Sequence, residues 1–490
     1  MRYPSHAFGG LRTGIRQCLS AGSAAGAVPA TRRPGPGTVS AVTASAPPDG
    51  RRAALWFRVP ADERRDLAIW LSLTATGLAL TWVAVRAGVA LGTRSAPFLG
   101  SYRWAFGFGS ALAPAVAAGV LVAAVRGRFD LMRWRLLLVL GWAGTFAWSL
   151  SLALVDGAAG LTRSLQSPDN YLTDVPGVGD DVLAYLRSYT DRAEELSVAA
   201  RGHPPGPVLL LWALQRIGFT DRLTLGVVIT ALGALITPLA LAAMRGVCGE
   251  RAARSFAPVL MLAPYAVWIS VSVNVIVAVL GAAMVLLGVC ASDRARTGLR
   301  AAGWALACGV TLGVAALFSY AAPWLGLSAV CLYFARRRPF LNLATGLGAL
   351  LPVFVAEAAG FSWIDGLLMA RDDYATRVEP HRPALAWSVI SIVVLLLAAG
   401  PPLVRSARRL RNTPGWPFLV GAGAAVTFSI AAGLARGGAE AAWLPFFPWL
   451  TVAAVAPAVQ GDEAPPTPAL LVALGAVTAI VVEAVLATPW

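Results

Sequence analysis

A series of long apolar runs between residues 67 and 487 limits what this chain can fold into. A helix needs about 20 residues to cross a hydrocarbon core of about 30 Å. Thirteen runs approach that length, at 67–91, 109–125, 135–155, 223–243, 256–270, 271–290, 301–319, 320–335, 340–358, 385–404, 416–434, 443–459 and 468–487. Only 13% of the residues are charged, where soluble domains carry about 25%. The sequence therefore predicts an all-α polytopic membrane protein with about 13 transmembrane helices, although the short runs leave the number open within 256–290 and 301–335.

Clusters of arginine between the runs predict the orientation, because short arginine-rich loops stay on the cytoplasmic side. Six clusters lie at 51–65, 126–135, 245–254, 294–300, 336–338 and 405–411. All six are cytoplasmic if thirteen helices cross, the N-terminus is inside and the C-terminus is outside. The run at 207–219 must then not cross, and its 13 residues suit a re-entrant or interfacial segment. The chain is expected to cross a cytoplasmic membrane many times.

The strong positive charge does not indicate a nucleic-acid partner. The net charge is +15 and the isoelectric point 10.7, but the arginines occur as short clusters between apolar runs, where membrane orientation explains them. Residues 1–66 form an Arg-rich segment with too little apolar surface to order itself, and we expect a disordered cytoplasmic tail. Residues 67–490 form the predicted membrane domain.

The longest polar interval, 156–206, is predicted to be an outer loop. It holds eight of the 25 acidic residues and His203, one of three histidines. Asp181 offers an N-cap, and apolar residues recur at helical spacing after it, which predicts an interfacial helix at about 181–198. Such a helix could cover a site at the lipid boundary, or it could simply connect two membrane helices.

Asp156 is the candidate catalytic residue. It directly follows the apolar run that ends at Val155, so its carboxylate is expected at the outer membrane edge, where it could accept a proton. The alternative is an acid that merely ends a helix.

A second predicted outer loop, 360–384, also gathers charged and aromatic residues. Adjacent carboxylates at Asp372 and Asp373 could hold a divalent cation or could be a solvated turn, and an aromatic ring such as that of Tyr374 suits sugar binding. A third outer feature pairs Arg436 with Glu440 beside an apolar run, where an aromatic belt with a loop ion pair is the alternative. Scattered cysteines predict no zinc site, and we expect no cofactor.

A combination of features resembles a known family. Asp156 closes an early apolar run, a long outer loop follows, and His203-Pro204-Pro205-Gly206 opens the next apolar helix. This arrangement is similar to the GT-C fold glycosyltransferases that use polyprenyl-phosphate sugars, which include protein mannosyltransferases and aminoarabinose transferases. The resemblance implies a membrane enzyme that moves a sugar from a polyprenyl-phosphate donor to a lipid, glycan or protein acceptor on the outer face, with Asp156 as the base.

That chemistry needs positive groups for the departing phosphate and polar groups for the substrates. The candidates for the donor phosphate are Arg201, His203, Arg371, Arg377 and His381. The candidates for substrate binding are Asp169, Tyr171, Asp174, Asp372, Asp373, Tyr374 and Glu440. The alternatives are a multi-span transporter and a lipid-handling membrane protein without glycosyl transfer, although charges near the bilayer midplane, typical of carriers, are not evident.

Overall fold

The computed structural model describes residues 60–487, except for 271, 411–412 and 460. The tail predicted for 1–66 therefore lies largely outside the described residues. The prediction was wrong for residues 61–66, because the first helix begins at Ala61 and not at Leu67. Asp62 and Glu63 occupy its first turn, where carboxylates stabilise the positive end of the helix dipole.

Helices account for nearly all regular structure in the described residues. Helices α1 to α7 are Ala61–Arg86, Leu112–Val125, Arg128–Leu131, Trp134–Ala153, Ala158–Gln166, Val182–Arg187 and Val198–Arg201. Helices α8 to α15 are Gly206–Arg216, Arg222–Gly233, Ile236–Cys248, Glu250–Met261, Val275–Ala291, Gly298–Ala316, Gly326–Ala335 and Leu341–Ala358. Helices α16 to α22 are Trp363–Arg377, Ala384–Ala399, Pro402–Arg408, Trp416–Ala431, Ala439–Ala442, Phe447–Leu450 and Ala469–Val485.

Short 3₁₀ helices and one two-stranded ribbon complete the fold. The 3₁₀ helices are Phe108–Ala111, Leu154–Asp156, Tyr171–Thr173, Val175–Val178, Ala193–Glu195, Pro264–Trp268, Ala322–Leu325, Glu379–His381 and Val452–Ala454. Strand β1 (Ser101–Tyr102) pairs antiparallel with strand β2 (Leu486–Ala487). The ribbon joins an early segment of the chain to its C-terminal end.

Five helical segments among the described residues are long and apolar enough to cross a membrane. They are Ala61–Arg86, Trp134–Asp156, Arg222–Cys248, Gly298–Ala316 and Leu341–Ala358. A sixth is possible if α16 and α17 count as one span, although the two helices meet at a bend of 98°. The fold is that of an all-α membrane protein, but thirteen crossings are not established, since several predicted spans are helices of only 10–17 residues.

The predicted span at 443–459 is not a regular helix. It contains the single-turn helix α21 and a 3₁₀ turn at Val452–Ala454. Pro445 and Pro448 explain the interruption, because proline lacks an N–H donor and its ring clashes with the preceding turn of a helix. Trp449 and Leu450 are nevertheless buried, so this irregular segment still passes through the protein interior.

Small residues and satisfied polar groups hold the bundle together. Helices α13 and α15 approach so closely that a Cβ atom at Gly309 would overlap the carbonyl oxygen of Thr345. Between α4 and α10, the hydroxyl oxygens of Thr145 and Thr237 lie 2.6 Å apart and are fully buried. With little hydrophobic drive between helices in lipid, such close packing and hydrogen bonds supply the association energy.

Apolar side chains also cover much of the outer surface. Trp82 of α1 is 60% exposed, and Leu343 and Phe354 of α15 are 69% and 62% exposed. Large exposed apolar surfaces of this kind fit contact with lipid tails.

Candidate active site

Asp156 lies at the C-terminal end of the long apolar helix α4. That helix continues into the 3₁₀ turn Leu154–Asp156 and ends at Gly157, whose φ of 62° lets the chain turn into α5. The Asp156 side chain is only 7% exposed. We call this end of the bundle the Asp156 face. It carries the ribbon, residues 154–206 and residues 360–384.

Two arginines hold the Asp156 carboxylate. Arg163 of α5 places its Nη2 2.7 Å from Asp156 Oδ2, and Arg103 forms an ion pair with the same oxygen. Glu483 of α22 lies 3.8 Å from Arg103. Two carboxylates and two guanidinium groups therefore form one compact, partly buried cluster, which we call the Asp156 cluster.

The ribbon positions Arg103. Strand β1 pairs with β2, and the backbone N–H of Arg103 donates to the carbonyl oxygen of Val485 over 2.9 Å. Because α22 runs directly into β2, the same pairing brings Glu483 to the cluster. Sequence reasoning missed Arg103, Arg163 and Glu483. Arg163 had a local signal, two helical turns after Asp156, whereas Arg103 and Glu483 depend on the long-range ribbon.

Tyr171 and His203 form a second group. Their rings pack edge to face with centroids 5.6 Å apart, and the Tyr171 hydroxyl donates to Asn274 Oδ1 over 3.1 Å. His203 Nδ1 donates to the carbonyl oxygen of Ala199 over 2.9 Å. Burial lowers the pKa of His203, so this imidazole is neutral at neutral pH. Burial likewise raises the pKa of Tyr171.

The predicted helix at about 181–198 is shorter than expected. Asp181 is its N-cap, as predicted, and accepts from the N–H of Ala184 over 2.9 Å. The helix, α6, ends at Arg187, and turns, a 3₁₀ helix and α7 follow. The apolar spacing instead buries Tyr185 and Tyr189 in a compact loop, where the Tyr189 hydroxyl donates to the carbonyl oxygens of Ala200 and His203.

Two predicted substrate-binding carboxylates support this loop. Asp174 is buried and its Oδ1 accepts from the backbone N–H of Ser197 over 3.0 Å. Asp169 is exposed, and its backbone carbonyl accepts from Ala199 over 3.0 Å.

An ion-pair network joins the two predicted outer loops. Arg201 Nε lies 2.9 Å from Asp373 Oδ1, and Arg377 bridges from the same oxygen to Glu194, at 3.0 Å and 2.7 Å. Arg201 and Arg377, which were predicted to bind phosphate, therefore form ion pairs with carboxylates of the protein. The sequence placed the two loops on one side of the membrane, and the structure brings them into contact.

The remaining candidates lie along α16 and the segments that follow it. Arg371 contacts Glu379 at 2.7 Å, and the Tyr374 hydroxyl donates to the carbonyl oxygen of Gly433 over 2.9 Å. Asp372 and His381 are exposed, whereas Glu440 is completely buried. The candidates thus fall into separate groups, and Asp156 contacts two residues outside the predicted set.

The described residues contain no group of three or more His, Cys, Asp or Glu side chains arranged to hold a metal ion. Asp372 and Asp373 do not act as a pair, since Asp373 turns to two arginines while Asp372 faces solvent.

Comparison with known proteins adds no assignment to this site. No family model, curated protein or solved structure matches the chain.

Proposed function

We propose that this chain is an integral membrane glycosyltransferase with a GT-C-like arrangement, which moves a sugar from a polyprenyl phosphate to an acceptor hydroxyl at the outer face of a bacterial cytoplasmic membrane. The observation that carries the proposal is the Asp156 carboxylate, held between Arg103 and Arg163 at the end of an apolar helix. A lipid-linked sugar presents its phosphate at the membrane surface, so base and phosphate-binding groups are needed together at that depth.

The cluster supplies both chemical needs of a direct displacement. Asp156 removes the proton of the acceptor hydroxyl while the oxygen of that hydroxyl forms a bond to the anomeric carbon of the donor sugar. The bond from that carbon to the donor phosphate breaks, and polyprenyl phosphate leaves with the electron pair. Guanidinium groups suit phosphate oxygens, and both contacts of Asp156 with arginine fall on Oδ2, so Oδ1 is the oxygen that takes the proton. A single displacement inverts the anomeric centre.

We assign the donor phosphate to Arg103 and Arg163 in preference to the arginines first predicted. All five arginines contact a carboxylate, but the partner of Arg103 and Arg163 is the proposed base itself, so these two lie beside the reacting atoms. Arg201, Arg377 and Arg371 pair with other carboxylates. Their role in the proposal is to fasten the loops around the site.

We propose also that the Asp156 face is the outer face, with thirteen crossings and a cytoplasmic N-terminus. Segments that carry different arginine clusters contact one another at the end of the bundle opposite Asp156. Arg254 donates to the carbonyl oxygen of Met132 over 2.9 Å, and Arg336 donates to that of Gly246. Arginine gathered at one end supports a cytoplasmic position for that end.

The test is sugar transfer by the full-length protein in liposomes supplied with radiolabelled polyprenyl-phosphate mannose, glucose or arabinose. Asp156→Asn should lower kcat by about 10²–10⁴-fold, because the amide cannot accept the proton. Asp191→Asn, at an exposed position in the same loop, is the matched control and should retain activity. Arg163→Gln should weaken donor binding.

Equal transfer by the wild type and Asp156→Asn would reject Asp156 as the base. If the wild type transfers none of these sugars, a transporter becomes the favoured function. Uptake of solutes by the same liposomes would then be measured.

A further inference from the structure

A cavity of about 650 Å³ opens at the end of the bundle opposite the Asp156 face. Its walls come from α10, α12 and the end of α14, including Gly246, Val289 and Ala335. Arg294, Arg296, Arg336 and Arg337 line it, with Asp293 as the acidic lining residue, which gives a formal excess of three positive charges. We call this cavity the arginine pocket.

Two of the arginines are fixed by the protein itself. Arg336 donates to Ser292 Oγ over 3.2 Å, to the carbonyl oxygen of Val289 over 3.3 Å and to that of Gly246. These neutral acceptors orient the guanidinium group without cancelling its charge. Arg296 contacts Asp293 at 3.1 Å, so that carboxylate already forms an ion pair with one of the arginines.

The two segments that carry the arginines are tied together. Arg338 donates to the carbonyl oxygens of Asp293, over 3.0 Å, and Arg296. Arg337 adopts a φ of 56°, a left-handed conformation that is unfavourable for a side chain larger than glycine. The turn that ends α14 and the hydrogen bonds of Arg338 thus hold the two arginine-bearing segments side by side at the pocket.

We propose that the arginine pocket binds the phosphate of an anionic phospholipid headgroup. Guanidinium forks match phosphate oxygens, and basic pockets between membrane helices are suited to such headgroups. The volume lies within the range of about 300–1,000 Å³ typical of ligand pockets.

Apolar side chains close to the pocket favour a lipid over a free phosphate ion. Phe334 and Phe340 flank the arginines at 336–338 and are 60% and 82% exposed, and Leu299, next to Arg300, is 92% exposed. Acyl chains attached to a phosphate in the pocket would lie against this surface. The site requires neither Asp156 nor glycosyl transfer, so its test is independent of the test of the proposed function.

The test measures lipid binding to purified, delipidated full-length protein by native mass spectrometry and by thermal unfolding in detergent. Cardiolipin or phosphatidylglycerol should bind and raise the unfolding temperature, whereas phosphatidylcholine should not. Arg294→Gln with Arg337→Gln removes two exposed arginines of the pocket and should weaken anionic-lipid binding by about tenfold or more, at about one kcal/mol per arginine near the surface.

The matched control is Arg126→Gln with Arg251→Gln, which removes the same charge from exposed positions outside the pocket lining. It should bind anionic lipid like the wild type. Equal weakening in both double variants would overturn the proposal in favour of diffuse attraction. Stabilisation by inorganic phosphate that depends on Arg294 and Arg337, without any effect of lipid, would replace the lipid with a soluble anion. Unfolding of each variant without lipid checks that the fold is intact.

Discussion

Gly206 opens α8 at the point where this helix touches the end of α13. Its N–H donates to the carbonyl oxygen of Leu317 over 3.0 Å, and a Cβ atom at position 206 would overlap that same carbonyl. The sequence places Gly206 after a Pro-Pro pair at a helix start, but only the tertiary packing explains why the residue has no side chain.

Gly206→Ala should therefore destabilise the protein by about 1–3 kcal/mol, the usual cost of forcing extra atoms into a packed site. Thermal unfolding in detergent, followed by tryptophan fluorescence, measures the effect. Gly346→Ala in α15 is the control, because a Cβ atom there meets open space, and it should be neutral or stabilising by up to about 1 kcal/mol. Identical unfolding temperatures for Gly206→Ala and the wild type would contradict the close approach.

The candidate base could be located from sequence, but its partners could not. Asp156 stands out because a charge directly follows a long apolar run, which is a local signal. Arg103 and Glu483 reach it only through the pairing of β1 with β2, two strands of two residues each. Strands this short have no readable alternation, so sequence patterns give no register for them.

At the scale of elements, the junction of the two loops depends on Asp373. Its side chain is 17% exposed and contacts both Arg201 and Arg377, while its neighbour Asp372 is exposed. Adjacent residues on one helix point in different directions, so the sequence pattern alone did not distinguish their roles.

Asp373→Asn should loosen the contact between residues 194–201 and α16, because it leaves the largely buried Arg201 without its charged partner. We expect a loss of about 1–3 kcal/mol and faster proteolysis of the 156–206 loop. Asp372→Asn is the matched control and should match the wild type in both. Equal proteolysis of the two variants would show that the ion pairs do not hold the loops together.

Helix ends were predicted well where a local signal defines them and poorly where tertiary packing decides. Asp181 caps α6 as expected. The end of that helix at Arg187 follows from the burial of Tyr189, whose hydroxyl reaches two backbone carbonyls of a neighbouring turn. The prolines at 445 and 448 are visible in the sequence, but the span at 443–459 was predicted from the length of its apolar run alone.

At the scale of the whole molecule, the sidedness of the membrane is the main remaining prediction. Apolar runs identify the fold class because each helix must satisfy its own backbone in lipid. The number of crossings is harder to predict, since a helix of 10–17 residues surrounded by protein can lie at any depth.

Cysteine labelling in intact cells measures this sidedness. Glu195→Cys, on the Asp156 face, should react with a membrane-impermeant maleimide without permeabilisation. Glu463→Cys, which replaces the partner of Arg251 at the opposite end, should react only after permeabilisation. The wild-type chain gives the background from its natural cysteines. The reverse pattern would invert the orientation and move the Asp156 cluster to the cytoplasm.

The ribbon also sets when the protein can be completed during its synthesis. Strand β1 has left the ribosome long before β2 is made, and at about 5–20 residues per second the intervening chain takes roughly 20–80 s to translate. Throughout that time Arg103 lacks the strand that positions it, and Glu483 does not yet exist. A nascent chain that stalls before α22 therefore has most of its membrane helices but an unfinished Asp156 cluster, so premature release yields a protein that lacks Glu483 and leaves Arg103 without its partner strand.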